Sequence, residues 1–130
     1  MTIRYFSNNW NTWKWDVQRG RFIRYQNGAP HTEATSGEPF SAANVVVLWA
    51  RHETTDIVED ELGALSVRII LNAEGPAALL RNGKLIRGRW SWAGTGNMLR
   101  FTLENGTLLP LETGNTWIQV VPSNLQIETR

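Results

Sequence analysis

The 130-residue sequence contains no cysteine, which excludes disulfides, thiolate nucleophiles and cysteine-ligated zinc together. Histidine is nearly as scarce, with only His31 and His52. A metal site would need both to converge with carboxylates. One sits in Pro30-His31-Thr32-Glu33 and the other in Arg51-His52-Glu53, and neither has the spacing of a metal motif. No metal and no cofactor is expected. An excess of one charge is missing as well: the net charge is +1, with 6 basic and 8 acidic residues up to position 65 and 7 and 4 beyond it. A nucleic-acid partner demands a far stronger basic footprint. No apolar run approaches the roughly 20 residues of a membrane span, and no signal-peptide pattern opens the chain. Any targeting segment is expected to lie outside this sequence. Finally, no sustained 3.6-residue periodicity appears, which leaves little room for helices.

What is present points to strands. Hydrophobic residues make up 42% of the chain and seven are tryptophan, enough for a packed core without staples. Three Asn-Gly pairs, Asn27-Gly28, Asn82-Gly83 and Asn105-Gly106, carry the signature of tight type I′ hairpin turns. Around the third, Leu99, Phe101 and Leu103 alternate with Arg100, Thr102 and Glu104, the period-2 mark of a half-buried strand. A further hairpin runs from Trp13-Lys14-Trp15-Asp16 through Gln18-Arg19-Gly20 into Arg21 to Tyr25. The run Asn44 to Ala50 is apolar and β-branched, which predicts a central strand buried on both faces. Ser66 to Leu71 and Trp117 to Val121 read as two more strands. Residues Thr54 to Leu65 read as a polar excursion between strands, and Gly28 to Ser41 as a loop rich in proline, glycine and small polar residues. The spacing of the turns suggests a meander. The expected fold is all-β: one antiparallel domain over residues 1–130, a β-sandwich or partly open barrel.

Catalytic constellations do not assemble from the sequence. Ser36, Ser41 and Ser91 lie in no nucleophile-elbow pattern. Asp16, Glu33 and Glu38 could serve glycoside chemistry, but nothing in their spacing selects a pair. Gly94-Thr95-Gly96-Asn97 resembles a phosphate loop without the helix that would give it an anion-binding mechanism. The aromatic and basic stretches carry more. Trp13 and Trp15 share one strand face; Trp90 and Trp92 share another, with Arg87 and Arg89 on the opposite side of that strand. One reading is an aromatic platform for a sugar or peptide with arginine donors. The other is that the tryptophans fill the core and the arginines face water. The loop Gly28 to Ser41 is a second candidate, because functional residues concentrate on loops held by a rigid scaffold. Arg24, His31, Glu33 and Asn44 sit on or beside it, either as ligand contacts or as the residues that pin it.

Several strings are similar to one family along nearly the whole chain. They are Trp15-Asp16, the segment from Gly20 to His31, Gly37-Glu38-Pro39, Ser41 to Val47, Asn82-Gly83-Lys84, Gly88-Arg89-Trp90-Ser91, and Gly114 to Pro122. In these the chain resembles the C-terminal domain of the YerB-like bacterial lipoproteins. Trp15, Glu33 and Trp92 depart from the residues similar proteins often carry there, namely Tyr, Asp and a basic residue. The resemblance implies an extracytoplasmic envelope protein, tethered by an N-terminal lipid, with a larger N-terminal domain preceding this one. The family's function is unknown, so no site residue is carried over. The expected role is non-catalytic recognition or scaffolding. The partner would be an envelope protein or cell-wall polymer, gripped through an edge strand or an aromatic patch. Candidate ligand contacts are Arg24, His31, Glu33, Asn44, Arg87, Arg89 and Trp90. Two competing expectations are a glycan-acting enzyme using carboxylates such as Asp16 and Glu33, and a structural module packed on the N-terminal domain. The last predicts a contiguous apolar patch exposed on the isolated chain.

Overall fold

A computed structural model describes residues 1–129, and these form strands and turns without a helix. In chain order the strands are β1 (Thr2–Phe6), β2 (Asn9–Asp16), β3 (Arg21–Gln26), β4 (Ala29–Pro30), β5 (Ser41–Ala42) and β6 (Asn44–Val58). They continue with β7 (Leu65–Ile70), β8 (Glu74–Arg81), β9 (Lys84–Ser91), β10 (Arg100–Thr102), β11 (Thr116–Pro122) and β12 (Ile127–Glu128). One sheet has the order β12-β1-β2-β3-β4, with β5 also on β3. The other has β10-β9-β8-β6-β11, with β7 on the outer half of β6. The two pack as an open sandwich and not as a closed barrel.

The turns follow from local chemistry. Asn27 and Gly28 have φ of 51° and 86°, and Asn82 and Gly83 have 47° and 72°, the left-handed pair that a type I′ turn requires. The third Asn-Gly pair differs. Gly106 is left-handed but Asn105 is not, and the Asn105 side chain accepts from the Thr107 amide at 3.0 Å. That arrangement is the longer turn with a glycine bulge, and the paired strand it ends, β10, is only three residues long.

The central strand is buried on both faces as its composition predicts. Val45 and Val47 meet Trp13, Phe22, Ile3 and Val121 between the sheets. Val46, Leu48 and Ala50 turn the other way and pack with Ala77, Leu79 and Trp90. No third sheet covers that second face. Leu99, Phe101 and Leu109, from the segment that carries β10, lie over it instead.

Two parts of the expected path are corrected. The excursion over Thr54 to Leu65 is strand in its first half: β6 runs from Asn44 to Val58 and pairs with β7 as a projecting hairpin, leaving only residues 59–64 as the polar turn. Of the excursion's acidic residues, Asp56 lies in β6, where the pairing slips between Thr54 and Val58, whereas Glu59, Asp60 and Glu61 lie in the solvated turn beyond the strand. The meander also breaks at β11, which lies parallel to β6 from Thr116↔Asn44 to Pro122↔Ala50, the one parallel pair among the described strands. Parallel neighbours need a long crossover, and the segment from 103 to 115 supplies it while covering the second face of the core.

Candidate functional site

Cross-strand pairing places Ile3, Asn11, Trp13, Trp15, Phe22 and Arg24 on the inner face of the first sheet. Two of these are polar, and they begin a buried polar seam. Arg24 is 8% exposed. Its Nη2 donates to Asn11 Oδ1 at 2.7 Å, its Nη1 donates to His31 Nδ1, and its guanidinium lies 4.9 Å from the Trp117 ring centroid. Its Nε has no partner. Beside it, Gln119 accepts from Trp13 Nε1 at 3.3 Å and donates to the Tyr5 hydroxyl at 2.8 Å. Burial lowers the Arg24 pKa from its ordinary value, yet a guanidinium stays charged at neutral pH.

This seam fixes the long loop. The Arg24 amide donates to Phe40 O at 2.9 Å and Arg24 O accepts from His31 N at 2.9 Å. The chain therefore leaves the edge of β3 at His31 and returns at Phe40, and the two rings pack edge to face 4.7 Å apart. Glu33 does not reach toward Arg24. Its carboxylate accepts from the Thr35 and Ser36 amides at 2.9 and 2.6 Å, and those bonds hold its pKa down at about 2. Asn44 is fully buried and serves the crossover: its Nδ2 donates to Glu112 O at 2.8 Å and its Oδ1 accepts from Glu112 N at 2.8 Å.

The remaining candidates lie on the other sheet. Trp90 is 1% exposed, inside the second core, with its indole N–H donating to Trp49 O at 2.9 Å. Arg89 lies 3.7 Å from Glu74, and Arg87 lines a shallow depression with Glu104 and Ser123. Arg24 and His31 are thus brought together. Glu33 bonds its own turn, Asn44 bonds the crossover, and Trp90 is closed off from solvent.

A pH dependence follows from the Arg24–His31 contact, since only neutral imidazole can accept at Nδ1. Burial first, and the Arg24 charge second, lower the His31 pKa from 6.5. The unfolded chain then binds the proton more tightly than the folded one. Stability is full above 6.5, falls as pH drops below it, and levels off once pH is under the folded value. Glu33 stays ionised through this window, because its own contribution is lost only as pH falls from 4.5 toward about 2. Thermal unfolding between about pH 8 and pH 5 should show a steeper decline for wild type than for His31→Asn. Parallel curves would remove His31 from the account.

A second feature was singled out in the sequence only as the shared strand face of Trp13 and Trp15. A groove of about 510 Å³ opens where β1 begins, next to the β8–β9 turn. Trp13, Trp15 and Phe22 line it from the inner face, and Arg4, Trp10, Thr12 and Lys14 from the outer face. On that outer face Arg4 lies over the Trp10 ring at 5.0 Å and Lys14 over Tyr25 at 4.5 Å. Among the described residues Glu128 is the one carboxylate in the lining, 3.6 Å from Arg4. The signal in the sequence was the alternation of Trp10, Thr12 and Lys14 against Asn11, Trp13 and Trp15, which makes both faces of β2 aromatic.

Residues 1–118 match the family described as protein of unknown function (DUF3048) C-terminal domain. The chain belongs to this family. It is 24% identical over 110 residues to the Bacillus subtilis (strain 168) protein named "Putative lipoprotein YerB", covering 85% of this chain and 30% of the relative. The crystal structure of the YerB protein from Bacillus subtilis superposes with a TM-score of 0.74 and 25% identity, over 93% of this chain and 40% of that one. This chain and the Bacillus subtilis protein thus share the open sandwich, and this chain spans less than half the length of the relatives it matches. Apart from Gln119, Glu128 and Thr129, the residues of the groove and the Arg24 seam lie within the matched residues 1–118.

Proposed function

We propose that this chain is the non-catalytic recognition module of a lipid-anchored, extracytoplasmic bacterial envelope protein, and that its groove holds a cell-wall glycan. One observation carries the reading: indole and guanidinium or ammonium groups line the same groove. Sugar rings present apolar C–H faces that pack on aromatic rings, while their hydroxyl and carboxylate groups accept from cations. The volume also falls within the roughly 300–1,000 Å³ of small-molecule sites. The name of the Bacillus subtilis relative supports the envelope address.

The enzyme reading is less well supported. Glycoside chemistry needs two carboxyl groups facing each other across a cleft, and among the described residues Glu128 has no such counterpart in the groove. Asp16 Oδ1 accepts from the Arg19 amide at 3.0 Å, and Glu33 is occupied in its own turn. Arg24 and His31 serve the reading as scaffold, because the seam they build backs the groove at Trp13, and Asn44 holds the crossover.

Calorimetric titration with soluble glycan strands cut from bacterial sacculi tests this. Trp10→Ala/Lys14→Ala should bind at least about tenfold more weakly, a difference of about 1.4 kcal/mol, with unfolding unchanged because both side chains lie on the outer face. Equal affinity of the variant and wild type sinks the groove. Release of new reducing ends by the wild type would instead assign an enzyme.

A further inference from the structure

The projecting β6–β7 hairpin carries a surface that the groove does not explain. Beyond Ala50, β7 is the only neighbour of β6 among the described strands. The register puts His52 and Ile69, Thr54 and Val67, and Val58 and Leu65 on one face, and Arg51 with Ile70 and Glu53 with Arg68 on the other. The second face is satisfied in water: Glu53 bridges Arg51 and Arg68, and Thr55 and Ser66 share a hydroxyl bond of 2.5 Å. The first face is not. Leu65, Val67 and Ile69 are 44%, 55% and 41% exposed, and Val58, paired with Leu65, is 59% exposed; Ile57 and the turn residue Leu62 add exposed apolar surface toward the tip at 62% and 95%.

Period-2 apolar spacing marks a strand with one covered face, and a two-stranded ribbon is marginal without a second layer. Scattered apolar residues would need no explanation, but six on one arm mark a contact. The charge of the arm narrows the partner. Residues 51–70 hold five acidic and two basic groups, −3, whereas the rest of the chain holds seven acidic and eleven basic, +4. Asp56, Glu59 and Glu61 crowd the tip, which opposes a bilayer surface made negative by anionic lipid. Arm-to-arm pairing of two copies would set −3 against −3.

We infer that the apolar face of the β6–β7 arm seats the region that precedes the C-terminal domain in this family, through a surface apolar at its centre and basic at its rim. The family description makes this the C-terminal part, and the matched relatives are longer, with the chain covering 30% of one and 40% of the solved one. The inference does not depend on what the groove binds.

Hydrogen exchange at amides 65–70 tests it in two settings. The preceding region of the Bacillus subtilis relative is added to this chain, and that relative is also compared whole with its own C-terminal part. At least tenfold slower exchange in β7, or in the corresponding strand of the whole relative, is the expected result. Val67→Lys/Ile69→Lys should abolish protection in the first setting while leaving the urea midpoint of the chain unchanged. Unprotected amides in both settings overturn the inference. So would a dimer of this chain, seen by sedimentation, that the same double substitution dissolves, because a second copy would then be the occupant. Binding of the chain to phosphatidylglycerol vesicles, lost in that variant, overturns it in favour of a membrane.

Discussion

Trp90→Ala is expected to destabilise the fold by about 3–5 kcal/mol, the range for removing a buried aromatic side chain. For a chain of this size each kcal/mol lowers Tm by roughly 3–5 °C, so the fall should exceed about 10 °C. Two losses add. Trp90 packs with Val46, Leu48, Ala77 and Leu79, and nothing nearby can collapse into its volume without moving a sheet. Its indole N–H also donates to Trp49 O, a carbonyl that would be left unpaired. Gly75 shows how closely the ring is held, since a Cβ there would stand 2.8 Å from Trp90 Nε1. Trp90→Phe keeps most of the volume and loses the bond, at about 1–2 kcal/mol. A ligand-contact role makes the opposite forecast: lost binding with unchanged Tm. Differential scanning calorimetry beside glycan titration separates the two, and an unshifted Tm in Trp90→Ala would return this residue to the surface.

The same residue shows how far the sequence could be read. Its alternation with Arg89 is visible in the sequence, and it places Trp90 and Arg89 on opposite faces correctly. Which face points inward was not legible, because both faces of this sheet are covered along β6 and alternation alone ranks neither. The first two Asn-Gly turns were legible because positive φ at two successive residues is a local demand with few solutions. The arm was not. Asp56, Glu59, Asp60 and Glu61 have the composition of a loop, and only pairing with β7 makes the backbone of Thr54 to Val58 extended, a tertiary effect that overrides local preference. The parallel placement of β11 is equally invisible, since Trp117 to Val121 would read the same in either direction.

The candidate site divides along similar lines. Arg24 and His31 were found as members of one loop, and the structure brings them into contact. Glu33 and Asn44 have the right residue types for ligand contacts, but each bonds a neighbouring backbone segment. Asn11 and Gln119 were missed, although both sit at inward positions of strands whose neighbours are aromatic. A polar residue in the inward register of a tryptophan-rich strand is the signal that would have found them. The exposed arm supplies apolar surface of the kind a packing module needs, so the proposed recognition groove and the proposed docking face would occupy separate parts of one sandwich.

Gly88→Ala tests the element that makes this sandwich two-sided. A Cβ built on Gly88 would stand 2.1 Å from Thr102 O and 3.2 Å from Thr102 C. Both are backbone atoms, so no side chain can swing away. Directly beside this contact β10 pairs with β9 through Phe101↔Trp90 and Thr102↔Arg89, and the chain then enters the crossover that covers the second core and delivers β11. A methyl group must either push β10 off β9 or shift β9 itself. Overpacking against a rigid neighbour costs about 1–3 kcal/mol, and separating β10 would add exposure of Phe101 and Leu109, which pack on that core. The expected loss is therefore at the top of that range or above it. Gly96→Ala is the comparison: it has φ of 85° and open space around it, so it bears only the left-handed strain of about 1–2 kcal/mol. Urea unfolding should give a lower midpoint for Gly88→Ala than for Gly96→Ala, and a Gly88→Ala midpoint equal to or above it would show that β10 does not rest on this glycine. A reduced m-value in Gly88→Ala would show more: the crossover opening ahead of the rest, leaving β11 as the next strand to lose its place.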